Sequence, residues 1–377
     1  MMTPKVKAFL EANTLPTPFM VLDIAAVRAK YDQLMAAMAD SRVYFAVKSN
    51  PAAKVLSALA HKGSYFDVAS MPEVLACLQA GVPPERLSYG NTVKKSEDIA
   101  KAYAAGVRVF AFDSMPELVK LAKHAPGSSV FCRILVDNSG AEWPLSRKFG
   151  CDPYVAHHLL REAHIMGLVP YGVSFHVGSQ QMQLDRWQLA IVAAADIFRK
   201  LKGEGIAMPF LNIGGGFPVH YAKDVPDIQD IGEAVMEAIC VHFGPDCPEI
   251  LATEPGRFLV AEAAVLRSKV ILVSQKSHQD KVHWVYVDTG IFGGLVEATH
   301  IEFKVRTNKD SDPKMLAILA GPTCDSVDVL NQRDGFVLPA TLEEGDVVDI
   351  LAAGAYTASC ATVNFNGFAP LKTYYLD

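Results

Sequence analysis

Apolar and polar positions alternate with a period of two in VYFAVKSNP at 43–51: Val43, Phe45 and Val47 fall on one side, Tyr44, Ala46 and Lys48 on the other. That spacing predicts a β-strand. Asn50-Pro51 stops it, because proline lacks a ladder donor and restricts the residue before it. Similar apolar runs recur at 65–69, 86–89, 107–112, 130–136, 172–176, 210–213 and 249–252. Amphipathic helical stretches lie between most of them, at 72–80, 96–105, 115–124, 153–166 and 184–202, with another at 25–38 ahead of the first. Strands alternating with helices predict parallel βα units, and eight strands close a TIM (β/α)8 barrel. The structural rival is an open doubly wound sheet, but no GxGxxG follows an early strand.

After about residue 258 the helical period fades and short β-rich runs take over, at 264–273, 282–287, 315–319, 346–351 and 372–376, with a turn signal at Glu343-Glu344-Gly345-Asp346. The expected organisation is an α/β barrel over 24–258 and a C-terminal all-β domain over 259–377. Residues 1–23, which carry the FMVL strand at 19–22, complete the second domain. Length fits a barrel plus an appendage.

Composition narrows the function classes. Half the residues are hydrophobic and a fifth charged, as in an ordinary globular protein, and the net charge of −6 leaves no basic footprint for nucleic acid. No apolar run is long enough to span a bilayer, and the N-terminal stretch lacks an apolar signal core. Seven cysteines without a CxxC pair or zinc spacing read as reduced thiols in a cytoplasmic protein, and no metal site is expected. His157-His158 sits on a helical pattern, where a surface role is the plainer reading.

Candidate chemistry collects after the strands, at Lys48, Ser70, Asn91, Asp113, His176, Gly214–Gly216 and Glu254. In a barrel these ends share one mouth, where active sites are built. Lys48 is either a lysine snorkelling out at a strand end or a desolvated amine suited to a Schiff base. FLNIGGGFP at 210–218 runs into three glycines, as in a tight turn or a phosphate cradle. SFHVGSQ at 174–180 places His176 at a strand end with Ser179 in the following loop. His176 is structural, or it stacks on a flat ring or moves a proton. Glu254 and Arg257 in TEPGRF form an ordinary turn pair, or they hold a pyridine nitrogen and a phosphate. Together these parts suit pyridoxal phosphate. Cys324-Asp325 in GPTCDSVDVL is by default a packed cysteine beside an acid; such a thiol serves better as a proton donor than as a nucleophile. The AGAYT and FNGF loops have packing as their default role.

The ordered motifs VYFAVKSNP, FDVAS, WPLSRKFG, SFHVGSQ, NIGGGFP, EPGR, GPTCDS, AGAYT and FNGF resemble the alanine-racemase-like (fold type III) basic amino-acid decarboxylases, bacterial ornithine and lysine/ornithine decarboxylases above all. The likeness runs from about Thr17 to Tyr375. It implies that Lys48 carries pyridoxal 5'-phosphate, that His176 stacks on its ring and that Glu254 keeps the ring nitrogen protonated. Gly214, Gly215, Gly216, Ser179, Arg257 and Tyr356 would bind the phosphate, and Asp67 and Glu73 would support the lysine. In a head-to-tail homodimer with shared sites, Cys324 would reach across to reprotonate Cα, and Asp325 to bind the distal ammonium of a basic amino acid. Phe365 would line the substrate pocket. Two departures stand out. Phe292 occupies a loop position where relatives often have tyrosine, and where the family usually has an acidic residue on a short helix contacting the distal amine this chain reads Glu297-Ala298-Thr299-His300, so either Glu297 does that job or the pocket is reshaped. Arg147 and Lys148 receive no specific contact.

The implied reaction is decarboxylation of L-ornithine to putrescine and CO2. Lysine, arginine, diaminopimelate and carboxynorspermidine decarboxylases are the rivals within the class. Diaminopimelate enzymes are disfavoured because they usually have a Cys-Glu pair where this chain has Cys324-Asp325. A racemase would lack GPTCDS. A catalytically dead homologue that binds a decarboxylase would have lost residues such as Lys48, Glu254, Arg257 and Cys324, all present here.

Overall fold

The computed structural model describes residues 2–144, 147–310 and 312–377, so Leu145 and Ser146 of the WPLSRKFG motif lie outside the described residues. The chain divides into two compact units. One is Arg28–Pro218 with Val225–Gly256; the other joins Met1–Val27, Val219–Asp224 and Arg257–Asp377.

The first unit is a closed barrel of eight parallel strands. Around the barrel they run Phe210–Asn212, Ile250–Thr253, Ser41–Ala46, Tyr65–Val68, Leu87–Tyr89, Val109–Phe112, Ser129–Arg133 and Val169–Ser174. Tyr44, Ala111, Phe131, Phe210 and Ala252 form one buried cluster although they come from five strands. Only the barrel interior lets such scattered strands meet. The Phe210 ring lies flat on Tyr171 at 4.8 Å and tilts against Phe131 at 5.4 Å. Phe45 and Phe66, on the opposite side of the pleat from their neighbours Tyr44 and Tyr65, are fully buried as well. Strands covered on both faces read as continuous apolar runs, which is why these segments stand out in the sequence.

The strand expected over 43–48 is shorter at its C-terminal end than its alternation implies. The first barrel strand ends at Ala46, and Val47–Ser49 forms a single 3-10 turn. Lys48 therefore sits on a turn, not on the last rung of a strand, and alternation with Val47 does not decide its direction. The cause is local hydrogen bonding. Asn50 N–H donates to Val47 O at 3.0 Å, Ser49 Oγ to Ala46 O at 2.8 Å, and Ala52 N to Asn50 Oδ1 at 3.2 Å. Serine and asparagine compete with the ladder in this manner.

Helices wrap the strands, including two beyond those expected from the apolar spacing. Ala53–His61 buries Val55, Leu56, Ala58 and Leu59. Ile228–Phe243 begins at Asp227, whose side chain accepts from Gln229 N, and buries Ile231, Val235, Ala238 and Ile239 at helical spacing.

The second unit is a nine-stranded sheet whose main path runs Val305–Thr307, Val347–Leu351, Ala264–Ser274, Val282–Val287, Lys314–Ala320 and Val329–Leu330. Phe336–Pro339 pairs with Lys314–Ala320. Phe19–Asp23 pairs antiparallel with Ala264–Ser274 on one side and parallel with Lys372–Leu376 on the other. The helix Pro4–Ala12 packs Val6 and Leu10 onto Phe19, Val21 and Val265. Arg267 locks this corner with a fork to Asp349 (2.7 and 2.9 Å) and a bond to Leu10 O at 2.9 Å.

Candidate active site

The barrel unit gathers charged groups at the C-terminal ends of its strands. Asp67, on strand Tyr65–Val68, is buried, and its Oδ1 has no hydrogen-bond partner among the described residues. Its carboxyl is held well above the usual carboxylate range, first by burial and then by the charge of Glu254, with Lys48 and Arg133 pulling the other way. Gly90 makes room for it: a Cβ there would lie 1.9 Å from Asp67 Oδ1. Glu73 closes the next turn. Its Oε2 accepts from Ala69 N at 2.7 Å while Ser70 Oγ caps Glu73 N at 3.4 Å.

His176 follows strand Val169–Ser174, and its Nδ1 accepts from Gly178 N at 3.0 Å, which leaves any ring proton of the neutral form on Nε2. Burial, then the positive charges of Arg133 and Lys48, push it well below the usual histidine range, so it is a neutral flat ring. The three-glycine turn follows Phe210–Asn212 and is left-handed at Gly214 (φ +67°) and Gly216 (φ +94°). A side chain at Gly215 would meet Glu254 O at 2.4 Å, and the same Cβ position is 3.6 Å from His176 Nε2. Glycine is thus required by close approach, and the turn sits beside both His176 and Glu254.

Glu254 is aimed by Asn212, whose Nδ2 donates to Glu254 Oε1 at 2.5 Å while its Oδ1 accepts from Gly214 N at 2.9 Å. Glu254 N in turn donates to Gly214 O at 2.8 Å. One amide therefore ties the acid to the glycine turn. Lys48 is exposed on its turn, within electrostatic reach of Asp67, Glu73 and His176. Ser179 starts the short strand Ser179–Gln181, which pairs with Ala141–Trp143. Arg133 and Asn212 carry no mark in the sequence reading, because each sits at the end of a strand that reads as ordinary core. The signal available was a cation and an amide where an apolar rung was due.

The comparisons with known proteins bear on this constellation. Residues 24–261 match the family described as pyridoxal-dependent decarboxylase, pyridoxal binding domain. The chain belongs to that family. It is 36% identical over 95% of its length to a lysine/ornithine decarboxylase of Selenomonas ruminantium, covering 89% of that protein. It is 34% identical over 98% of its length to an ornithine decarboxylase of Panagrellus redivivus, covering 88% of it. Among solved structures, it matches a lysine/ornithine decarboxylase from Vibrio vulnificus, complexed with cadaverine, at a TM-score of 0.89 and 30% identity, with both chains fully covered. A lysine decarboxylase from Selenomonas ruminantium also matches at a TM-score of 0.89 and 34% identity, over 100% of this chain and 96% of that one.

The family's cofactor is pyridoxal 5'-phosphate, and the residues present fit it. A buried carboxyl oxygen of Asp67 lacks a hydrogen-bond partner among the described residues. A turn of three glycines suits a phosphate. Beside it stand a neutral imidazole at His176 and a carboxylate at Glu254, held by an amide. A lysine is near at Lys48.

The remaining predicted residues lie in the β unit. Arg257 opens the short helix Arg257–Val260 and is buried. Its Nη2 donates to Glu297 Oε1 at 2.6 Å and its Nη1 to both Glu297 Oε2 and Tyr221 Oη, the latter at 3.0 Å. Its guanidinium lies over the Tyr356 ring at 4.9 Å. Burial opposes the charge, but Tyr221 and Glu297 outweigh it and raise the guanidinium above its ordinary value. The structure thus joins Arg257 and Glu297, which the sequence suggests for different ligands. A part for Glu297 in gripping substrate would require this fork to open. Tyr356 adopts a left-handed φ of +54°, a conformation costing about 1–3 kcal/mol that persists only when its surroundings enforce it.

Cys324 and Asp325 are exposed on one loop. Cys324 N donates to Asn366 Oδ1 at 3.0 Å, and Asp325 Oδ1 accepts from Val327 N at 3.0 Å. Buried Asp328 clamps the loop, accepting from Thr323 Oγ1 (2.7 Å) and from Ile291 N (2.7 Å). Phe365 stacks on Phe292 at 4.2 Å and lines a cavity of about 260 Å³ with Pro322, Thr323 and Phe368. Phe292 thus meets Phe365 face to face. Arg147 and Lys148 are exposed.

Proposed function

We propose that the chain decarboxylates L-ornithine to putrescine and CO2 in polyamine synthesis, with L-lysine the competing substrate. The observation that carries this substrate reading is the exposed thiol–carboxylate pair Cys324-Asp325 on a loop pinned by Asp328. Asp325 supplies one negative charge for a distal ammonium. The names of the relatives, ornithine and lysine/ornithine decarboxylases, support the same reading.

When bound, pyridoxal phosphate supplies an electron sink for the pair left at Cα as CO2 departs. The chain does the rest. Lys48 offers the amine that holds the cofactor, and Asp67 and Glu73 bias the charge around it. His176 presents a neutral ring face. Glu254, fixed by Asn212, holds the proton on the pyridine nitrogen. Gly214, Gly215, Gly216, Ser179, Arg257 and Tyr356 take the phosphate. Cys324 then returns a proton to Cα from its Sγ, Asp325 orients the substrate, and Phe365 shapes the aliphatic part of its pocket. An exposed Cys324-Asp325 loop fits residues lent to a second copy of the chain, so we place the site in a head-to-tail homodimer. Seven free thiols fit a reducing compartment, and we place the protein in the cytoplasm. No helix among the described residues is long and apolar enough to cross a membrane.

Product identification tests the substrate. Purified protein with pyridoxal phosphate is offered ornithine, lysine, arginine, diaminopimelate and carboxynorspermidine separately, and amines are read by mass. Dominant putrescine is expected. Dominant cadaverine would keep the mechanism and move the substrate, and no amine from any of them would overturn the reading.

A further inference from the structure

We propose that Glu297 is a positioning residue for Arg257: together with Tyr221 it fixes the guanidinium that takes the cofactor's phosphate, instead of gripping the substrate's distal amine. This rests on the reading that Arg257 meets that phosphate.

The geometry of the pair argues for it. Glu297 spends both carboxylate oxygens on the two terminal nitrogens of Arg257, the planar fork that sets a guanidinium's orientation as well as its charge. Both side chains are almost fully buried, at 6% and 9% exposure. A carboxylate so placed cannot turn to an incoming ammonium without breaking a buried, charge-paired fork, which is the costly outcome for such a pair. The backbone of Glu297 is anchored too. Its carbonyl accepts from His300 N at 2.9 Å and Ile301 N at 2.7 Å.

Two aromatic rings pack against Arg257 as well. Tyr221 Oη accepts from Nη1 at 3.0 Å, and the Tyr221 ring is itself set edge-on against Phe303 at 5.2 Å. Tyr356 covers the guanidinium from another side. The segment carrying Glu297 packs tightly against that of Tyr356, for a Cβ at Gly294 would fall 2.7 Å from Thr357 O. Glu297 is thus part of a frame whose centre is Arg257, and its effect on the reaction passes through that guanidinium.

The test separates cofactor binding from substrate binding. Apoenzyme is titrated with pyridoxal phosphate by fluorescence, and KM for L-ornithine is measured at saturating cofactor. Glu297→Gln is expected to weaken cofactor affinity about tenfold or more while leaving KM within about twofold. Tyr221→Phe is expected to shift affinity the same way by less. Because Glu297 acts through Arg257, the double variant Arg257→Ala/Glu297→Gln should bind cofactor no more weakly than Arg257→Ala alone. Unchanged cofactor affinity in Glu297→Gln with a tenfold rise in KM would make it a substrate residue and overturn the proposal. Additive losses in the double variant would also overturn it. If Glu297→Gln does not fold, Glu297→Asp, which shortens the reach by one carbon, is read by the same criteria. Full cofactor affinity in Arg257→Ala would instead remove the phosphate reading on which the proposal stands.

Discussion

At the scale of single residues, the two cationic groups facing His176 make a prediction about pH. An imidazole forced to stay neutral by burial, Arg133 and Lys48 gains a proton only on unfolding. Below the ordinary histidine value near 6.5 the unfolded chain then binds more protons, and stability falls as pH falls. Apoenzyme melting curves between pH 7 and pH 5 should thus drop less steeply for His176→Phe than for the wild type, by up to about 1.4 kcal/mol per pH unit. Parallel curves would show that the imidazole is not held neutral. Lys48→Ala should lose both turnover and the visible absorbance of bound cofactor, read in one spectrum. Cys324→Ala should slow turnover and divert part of the product through protonation at the wrong carbon, a ratio read by mass of the products. Normal ratios would remove Sγ as the proton source.

At the scale of elements, the turns decide more than the strands. The eight barrel strands were legible because each is buried on both faces and reads as an apolar run closed by a turn residue. The motifs of the site were legible for the related reason that lysine, histidine and three glycines have little cause to follow such runs. What escaped notice depends on partners distant in sequence. Arg257 and Glu297 are 40 residues apart, and nothing local shows that they form a fork. Asn212 looks like any strand-end amide until Glu254 appears 42 residues later. The 3-10 turn at Val47–Ser49 was hidden because Val47 continues the alternation by accident. Lys94 is another case, buried among Asn91 O (2.7 Å), Ala111 O (2.6 Å) and Glu117 Oε1 (3.0 Å), with burial the main cause that lowers it to about 8. It ties the loop after Leu87–Tyr89 to the helix Met115–His124. Lys94→Met leaves Glu117 short of a buried partner and should cost about 3 kcal/mol, measured by denaturant melts.

At the scale of the whole molecule, the test is whether two chains make one site. Lys48→Ala and Cys324→Ala subunits, each inactive or slow alone, should regain about a quarter of wild-type activity when unfolded and refolded together at equal ratio. Half of the dimers are then mixed, and each of these carries one complete site. No recovery would show that every site is built within one chain.

The strand Phe19–Asp23 has a consequence for the order in which the molecule can be made. It lies between Ala264–Ser274 and Lys372–Leu376, so its inner neighbour is synthesised about 250 residues later and its outer one about 350 residues later. At ribosomal speeds of about 5–20 residues per second, the apolar FMVL segment waits roughly 20–70 s for its second partner. All the barrel strands have emerged well before then. The strand is completed only after every barrel strand has been made, so the nascent chain carries it without its native partners while they emerge.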